Sequence, residues 1–252
     1  MKTAVISGGA GGLGRALSTA LQSQGWRVAL IDRDISGLDR HPTQLPLQCD
    51  LTDPAQLSAT MDQLLTDTPQ IDLAIYNAGV THIGSFADTA PDTHRTVFDI
   101  NYFAAISMAH ALLHPVRAAR GTHLAISSVA GFAPLHNRTA YAASKHALQG
   151  FFTSLRSEER RHGVTVQIAA PSFVATNTGN PDRQPDGTAR PGSAPDGLDY
   201  MSPEQAARQI LRGHGTGRPM IPVGRIATAA WWINGIAPRL YQRLMERQIR
   251  GL

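Results

Sequence analysis

Short apolar runs alternate along this chain with longer segments in which apolar positions recur at helical spacing. The apolar runs fall at Thr3–Ser7, Arg27–Ile31, Leu45–Cys49, Ile71–Tyr76, His123–Ser127 and Val164–Ala169, with a weaker one at Pro219–Val223. Several are apolar without in-out alternation, the pattern of strands covered on both faces. Between them the spacing predicts helices near Leu13–Gln24, Pro54–Asp67, Pro91–Arg117, Ala140–His162 and Pro203–Arg212. Two helix starts are written out, as Asp53-Pro54-Ala55-Gln56 and Ser202-Pro203-Glu204-Gln205. Each puts an oxygen acceptor at the N-cap, Pro at the first helical position and Gln at the third. Strand–helix alternation of this kind implies an α/β fold, a doubly wound parallel sheet of about seven strands with helices on both faces.

Composition narrows the classes. The 252 residues show no internal break, so residues 1–252 read as one domain. The 23 basic and 19 acidic residues are interspersed, for a formal charge of +4. No continuous basic face with interleaved aromatics appears, which argues against nucleic acid as a partner. Cys49 is the only cysteine, so no intrachain disulfide can form. A strand beginning at Thr3 leaves no room for a signal peptide, and the expected location is the cytoplasm. The longest weakly polar stretch, Ile226–Ala237, is too short for a transmembrane span, which needs about 20 apolar residues. The segment 177–199 stands apart: it is rich in Pro and Gly, has almost no apolar side chains, and reads as a loop over a substrate site.

Candidate chemistry begins at Ser7-Gly8-Gly9-Ala10-Gly11-Gly12-Leu13-Gly14, between the first strand and the first helix. Gly9, Gly11 and Gly14 satisfy one dinucleotide spacing, and Gly8, Gly12 and Gly14 satisfy another, G-x-x-x-G-x-G. Missing Cβ atoms let the backbone approach a pyrophosphate, and the helix N-terminus offers free N–H groups and partial positive charge. The sheet is thus of Rossmann type. Asp32 ends the second strand, 18 residues beyond Gly14. An acid there can accept hydrogen bonds from the adenosine ribose and would repel the extra phosphate of NADP. Arg33 argues the other way, but the glycine loop itself holds no basic residue, so NAD is favoured over NADP.

Tyr141 and Lys145 are four apart on a predicted helix and share a face. A nearby ammonium favours phenolate, which would lower the phenol pKa and make Tyr141 a usable proton donor and acceptor. Together these motifs make the chain resemble a short-chain dehydrogenase/reductase over nearly its whole length. The motifs fall in order: Gly8-x-x-x-Gly12-x-Gly14, Asn77-Ala78-Gly79, Asn101, Ser128 and Tyr141-x-x-x-Lys145. Of the adjacent Ser127 and Ser128, the separation of 13 residues from Tyr141 selects Ser128. The resemblance implies Tyr141 as acid/base, Lys145 binding the nicotinamide ribose and lowering the phenol pKa, Ser128 polarising the substrate oxygen, and Asn101 holding a proton-relay water. It also implies cofactor contacts at Leu13, Arg33, Asp50, Leu51, Asn77, Ala78 and Gly79. Pro171-Ser172-Phe173-Val174-Ala175-Thr176 is similar to the family's P-G-x-V-x-T turn, with Ser172 replacing the glycine and Pro171, Val174 and Thr176 at the carboxamide. Ser144–Glu158 is locally similar to the hydroxysteroid dehydrogenase-like branch.

The activity implied is metal-free hydride transfer between NAD(H) and an apolar alcohol or ketone. The alternatives are an NADP-dependent carbonyl reductase and a catalytically silent NAD-binding regulator or scaffold. The family commonly assembles as dimers or tetramers through its two long helices. His110 and His114 have ligand spacing but no third ligand, and read as a helix-face pair. The tail 225–252 is amphipathic after Pro238, and closing the substrate pocket or contacting a subunit is preferred over resting on a membrane surface.

Overall fold

The computed structural model describes residues 1–177, 184–192 and 200–250, with side chains as far as residue 246. Of the loop expected at 177–199, residues 178–183 and 193–199 lie outside the described residues, as do 251–252 of the tail. In chain order the strands are β1 (Thr3–Ser7), β2 (Arg27–Asp32), β3 (Gln44–Gln48), β4 (Leu73–Tyr76), β5 (Thr81–His82), β6 (Thr122–Ile126), β7 (Thr165–Pro171), β8 (Thr188–Ala189) and β9 (Met220–Val223). The helices are α1 (Gly12–Gln22), α2 (Pro54–Asp67), α3 (Pro91–Phe98), α4 (Ala104–Ala111), α5 (Leu113–Ala119), α6 (Thr139–Glu159), α7 (Pro203–Gly215), α8 (Arg225–Ile236) and α9 (Pro238–Arg250).

All seven apolar runs become strands of one parallel sheet, ordered β3-β2-β1-β4-β6-β7-β9. Adjacent residues of a strand serve opposite faces. Val5, Ala29, Ile31, Tyr76 and Ile168 pack against Leu57 and Met61 of α2, Met108 of α4 and Phe152 of α6. Ala4, Ile6, Leu30, Ile75 and Ile126 pack against Leu17 of α1 and Ile210 of α7. Covering both faces is what removes the alternation from β1, β4 and β6, whose residues are all buried. Pro46 and Pro222 sit in β3 and β9, the two edge strands, where a missing N–H costs no ladder bond.

Both written helix starts cap as their residues dictate. Asp53 accepts from the N–H groups of Ala55 and Gln56, and Ser202 and Gln205 form a reciprocal capping box. The helix expected over Pro91–Arg117 is interrupted instead. Residues Asp99–Phe103 make a π turn, and the helix breaks at Leu112 with a bend of 56°. Pro115 accounts for the break: it cannot donate to residue 111, and its ring would meet that carbonyl. In α5 it occupies the first turn, where its missing N–H is harmless.

The sheet order places the cleft. β1 pairs with β2 on one side and β4 on the other, so the chain reverses direction of travel at β1. The loops after β1 and β4 therefore diverge at the carboxyl end and leave a crevice between them.

Candidate active site

A cavity of about 1150 Å³ opens at that crevice and runs from the end of β2 to α8 and α9. Among its lining residues are Gly8, Gly12, Leu13, Asp32, Arg33, Asp50, Leu51, Asn77, Ala78, Gly79, Ser128, Tyr141, Lys145, Pro171, Val174 and Thr176. Gly14 and Asn101 stand behind this wall and shape it.

The glycine loop is a cradle that side chains would fill. Gly8 has φ +64°, and a Cβ there would come within 2.9 Å of Ala78 Cα. A Cβ at Gly14 would overlap the Gly8 carbonyl oxygen. At Gly12 it would crowd Thr176 at 3.1 Å. The N-cap of α1 is Gly11, which has no side chain to cap the N–H groups of the first turn. Those groups and the helix dipole suit a diphosphate. Asn77 holds the cradle: its Nδ2 donates to the carbonyls of Ser7 (3.1 Å) and Gly8 (3.0 Å), and Ser7 Oγ accepts from the Asn77 and Ala78 N–H groups. Its amide thus acts on the loop rather than reaching into the cleft.

At the adenosine end, Asp32 Oδ2 accepts from the Ala10 N–H at 2.9 Å, so the carboxylate is fixed against the glycine loop. Asp50 Oδ1 accepts from the N–H and hydroxyl of Thr52 at 2.9 and 2.7 Å. Cys49 lies beneath, its thiol pKa raised by burial.

At the other end, α6 brings Tyr141 and Lys145 into the cavity on one face. Lys145 is buried and donates to the Ile126 carbonyl at 2.9 Å, with Nζ 5.9 Å from the Tyr141 ring centroid. Burial pushes its ammonium down to about 8. The lowered phenol pKa expected from spacing is not found. Burial raises it, partly opposed by a hydrogen bond from Ser128 and by the charge of Arg138. The reason is geometric: the ammonium is aimed at a backbone carbonyl. Ser128, an extended residue after β6, accepts from the Ala130 N–H at 3.2 Å and faces Tyr141. The neighbouring Ser127, which also lines the cavity, accepts from Gln149 Nε2 at 3.0 Å.

Asn101 lies in the π turn and is buried. Its side chain accepts from the Val80 N–H (2.8 Å) and donates to the Val80 carbonyl (3.0 Å) and Ser144 Oγ (2.9 Å). Ser144 donates on to the Tyr141 carbonyl at 2.8 Å. The amide therefore clamps the Gly79–Val80 segment to α6, with both Nδ2 hydrogens and one Oδ1 lone pair engaged.

Several lining residues carried no sequence signal. Arg138 is buried at the N-cap of α6 and donates to Thr81 Oγ1 at 3.1 Å. The two-residue strand β8, inside the loop expected at 177–199, pairs antiparallel with β5. Ile226, Ile233, Tyr241, Leu244 and Met245 of the tail wall the cavity. Asn234 and Trp231 fasten that tail to Phe132. Closing the pocket is thus what α8 and α9 do in this structure. Among the described residues, no group of three His, Cys, Asp or Glu could hold a metal, and no single helix is long and apolar enough to cross a membrane. His110 and His114 are both exposed.

A parallel sheet with a glycine cradle at its switch point and a Ser, Tyr and Lys at the far end of the same cavity defines a nucleotide-binding oxidoreductase. The chain belongs to the short chain dehydrogenase family, whose model matches residues 2–187. It is 30% identical to Dehydrogenase/reductase SDR family member 7B of Bos taurus, over 98% of this chain and 81% of the relative. It is likewise 30% identical to Dehydrogenase/reductase SDR family protein 7-like of Drosophila melanogaster, over 98% and 80%. The fold matches a short-chain dehydrogenase from Streptomyces avermitilis with a TM-score of 0.83, at 23% identity over 100% of this chain and 99% of that one.

Proposed function

We propose that this protein is an NAD-dependent enzyme that interconverts an apolar secondary alcohol and its ketone without a metal. The observation that carries this reading is the convergence of Tyr141, Ser128 and Lys145 on the cavity whose opposite end is the glycine cradle. Bound NAD supplies the hydride acceptor or donor at its nicotinamide ring. The chain's residues orient it and handle the proton. Ser128 holds the substrate oxygen against the Tyr141 hydroxyl, which gives up a proton in reduction and takes one in oxidation. Lys145, whose ammonium burial pulls down to about 8, would bind the ribose hydroxyls. Asn101, in the π turn, would hold a relay water near Lys145.

Asp32 supports NAD. Its carboxylate, fixed by the Ala10 N–H, would accept from the adenosine ribose and repel a phosphate there. Ile83, Val129, Leu135, Ile226, Ile233 and Met245 line the substrate end and favour an apolar ligand. We place the protein in the cytoplasm as a homodimer or homotetramer formed through α4 and α6, beside which Phe103 lies exposed. The test is the change in nicotinamide absorbance with NAD(H) or NADP(H) against a panel of apolar secondary alcohols and ketones. Turnover with NAD(H) supports the reading. Turnover with NADP(H) alone moves it to the carbonyl reductase. Tight NADH binding with no turnover on any substrate moves it to a binding protein.

A further inference from the structure

We propose that the outer face of the corner between α8 and α9 is a docking surface for an anionic lipid bilayer, on which the protein rests without crossing it. The contact is separate from the activity proposed above and does not depend on it.

The corner turns its two faces to different tasks. Inward, Ile226, Ile233, Tyr241 and Met245 wall the cavity. Outward, Trp232 and Ile236 at the end of α8 are 63% and 79% exposed, and Leu240 and Leu244 at the start of α9 are 49% and 45% exposed. Each pair is four residues apart and so shares a face of its helix. Eight large apolar side chains are exposed among the described residues, and these four fall within thirteen positions, so the exposure is concentrated rather than scattered. The corner that presents them is held in place. Asn234 Nδ2 donates to the Phe132 carbonyl at 2.6 Å, Trp231 packs edge-on to the Phe132 ring, and the Ala237 carbonyl accepts from the Leu240 and Tyr241 N–H groups at 2.9 and 3.1 Å.

Charge identifies the occupant of this face. Of the chain's 23 basic and 19 acidic residues, five arginines and one glutamate lie in residues 225–252. The 224 residues before them therefore hold 18 of each sign, and the tail carries the whole formal excess of +4. Arg225, Arg239 and Arg243 are exposed, and none forms an ion pair among the described residues. The one acid, Glu246, accepts from Gln242 Nε2 at 2.9 Å. Apolar side chains flanked by arginines suit the headgroup region of an anionic leaflet, where the apolar groups leave water and the guanidinium groups meet phosphates. A second copy docked by the same patch would instead set one positive excess against another. The helices lie on the bilayer rather than in it, because α8 has 12 residues and α9 has 13, while a span needs about 20. Leu244 both lines the cavity and belongs to the exposed face, so the cavity rim adjoins the docked lipid, the phase in which an apolar ligand concentrates.

The experiment is co-sedimentation of the full chain with vesicles of phosphatidylcholine alone and of phosphatidylcholine with about one-third phosphatidylserine. Wild type is compared with the double variants Trp232→Ser with Ile236→Ser and Arg239→Gln with Arg243→Gln, whose changed side chains are exposed and outside the cavity wall. A melting curve for each variant checks the fold. Wild type should bind the phosphatidylserine vesicles at least about tenfold more tightly than phosphatidylcholine alone, and less tightly as salt rises. The arginine variant should bind them about thirtyfold more weakly, a factor of about five for each cation lost near the surface. The serine variant should lose at least about tenfold on the same vesicles. A folded wild type that stays in solution with phosphatidylserine vesicles would overturn the proposal, as would equal binding to both compositions or unchanged binding in the serine variant. A wild type indifferent to vesicles whose serine variant forms a smaller particle by light scattering would overturn it too, and would assign the face to a contact between copies. None of these outcomes bears on whether the cavity binds NAD(H).

Discussion

His123 gives the fold a calculable acid sensitivity. It is fully buried on β6, its Nδ1 lies 2.6 Å from the Tyr76 hydroxyl, and its Nε2 has no hydrogen-bond partner among the described residues. Burial pushes its pKa from 6.5 down to about 4. The unfolded chain therefore binds a proton between about pH 6.5 and pH 4 that the folded protein refuses, so stability falls as pH drops through that window. The full loss, a shift of about 2.5 units at 1.36 kcal/mol each, is roughly 3 kcal/mol below pH 4. Between pH 7 and pH 5 the share is roughly 2 kcal/mol, a sizeable part of an ordinary domain's stability. The perturbation is Tyr76→Phe with His123→Leu, which removes both partners of the buried pair and strands neither. Urea unfolding of both proteins at pH 7 and pH 5 reads the effect. Wild type and variant should be nearly equal at pH 7, and the variant should be the more stable by roughly 2 kcal/mol at pH 5. Groups that do not interact with His123, such as His214, titrate in both proteins and cancel in the difference. A variant that loses as much stability as wild type between the two pH values would refute the reasoning.

Three further outcomes are expected. Asp32→Ala should narrow a preference for NADH over NADPH, read by fluorescence titration of both cofactors; a wild-type preference for NADPH would contradict the role given to this carboxylate and point to Arg33. Gly14→Ala should weaken NADH at least about tenfold and lower the melting temperature, because the added Cβ meets backbone that cannot give way; unchanged binding would mean the cradle does not hold the cofactor as argued. Light scattering at micromolar concentration should find a dimer or tetramer, and Phe103→Asp should shift it toward monomer; a monomeric wild type would remove α4 and α6 from any interface.

Much of this was legible because it was local or periodic. The apolar runs gave all seven sheet strands, and Asp53 and Ser202 marked their helix starts by chemistry that acts within one turn. The glycine loop and the Tyr141–Lys145 pair could be read because a backbone turn and a helix face fix their geometry. What stayed hidden depends on partners distant in sequence. β8 has only two residues, and its pairing with β5 spans about a hundred positions, which no periodicity encodes. Arg138 reads as an ordinary charged residue until β5 folds over it. Nothing in the sequence shows that Val80 and Ser144 bond to the Asn101 amide. The direction of the Tyr141 shift is set by burial of the phenol, which four-residue spacing does not reveal. The break at Leu112 is a different case, since Pro115 announced it in the sequence.

The central claim is that the Tyr141 phenol moves the substrate's proton, and Tyr141→Phe tests it most directly. The substitution keeps the ring and removes only the hydroxyl. On the substrate found in the panel, turnover should fall by at least about a hundredfold, the usual contribution of a positioned acid/base. NADH affinity should stay within about twofold of wild type, because the glycine cradle, Asp32 and Lys145 are untouched. Turnover close to wild type in Tyr141→Phe, with NADH still bound, would contradict the account.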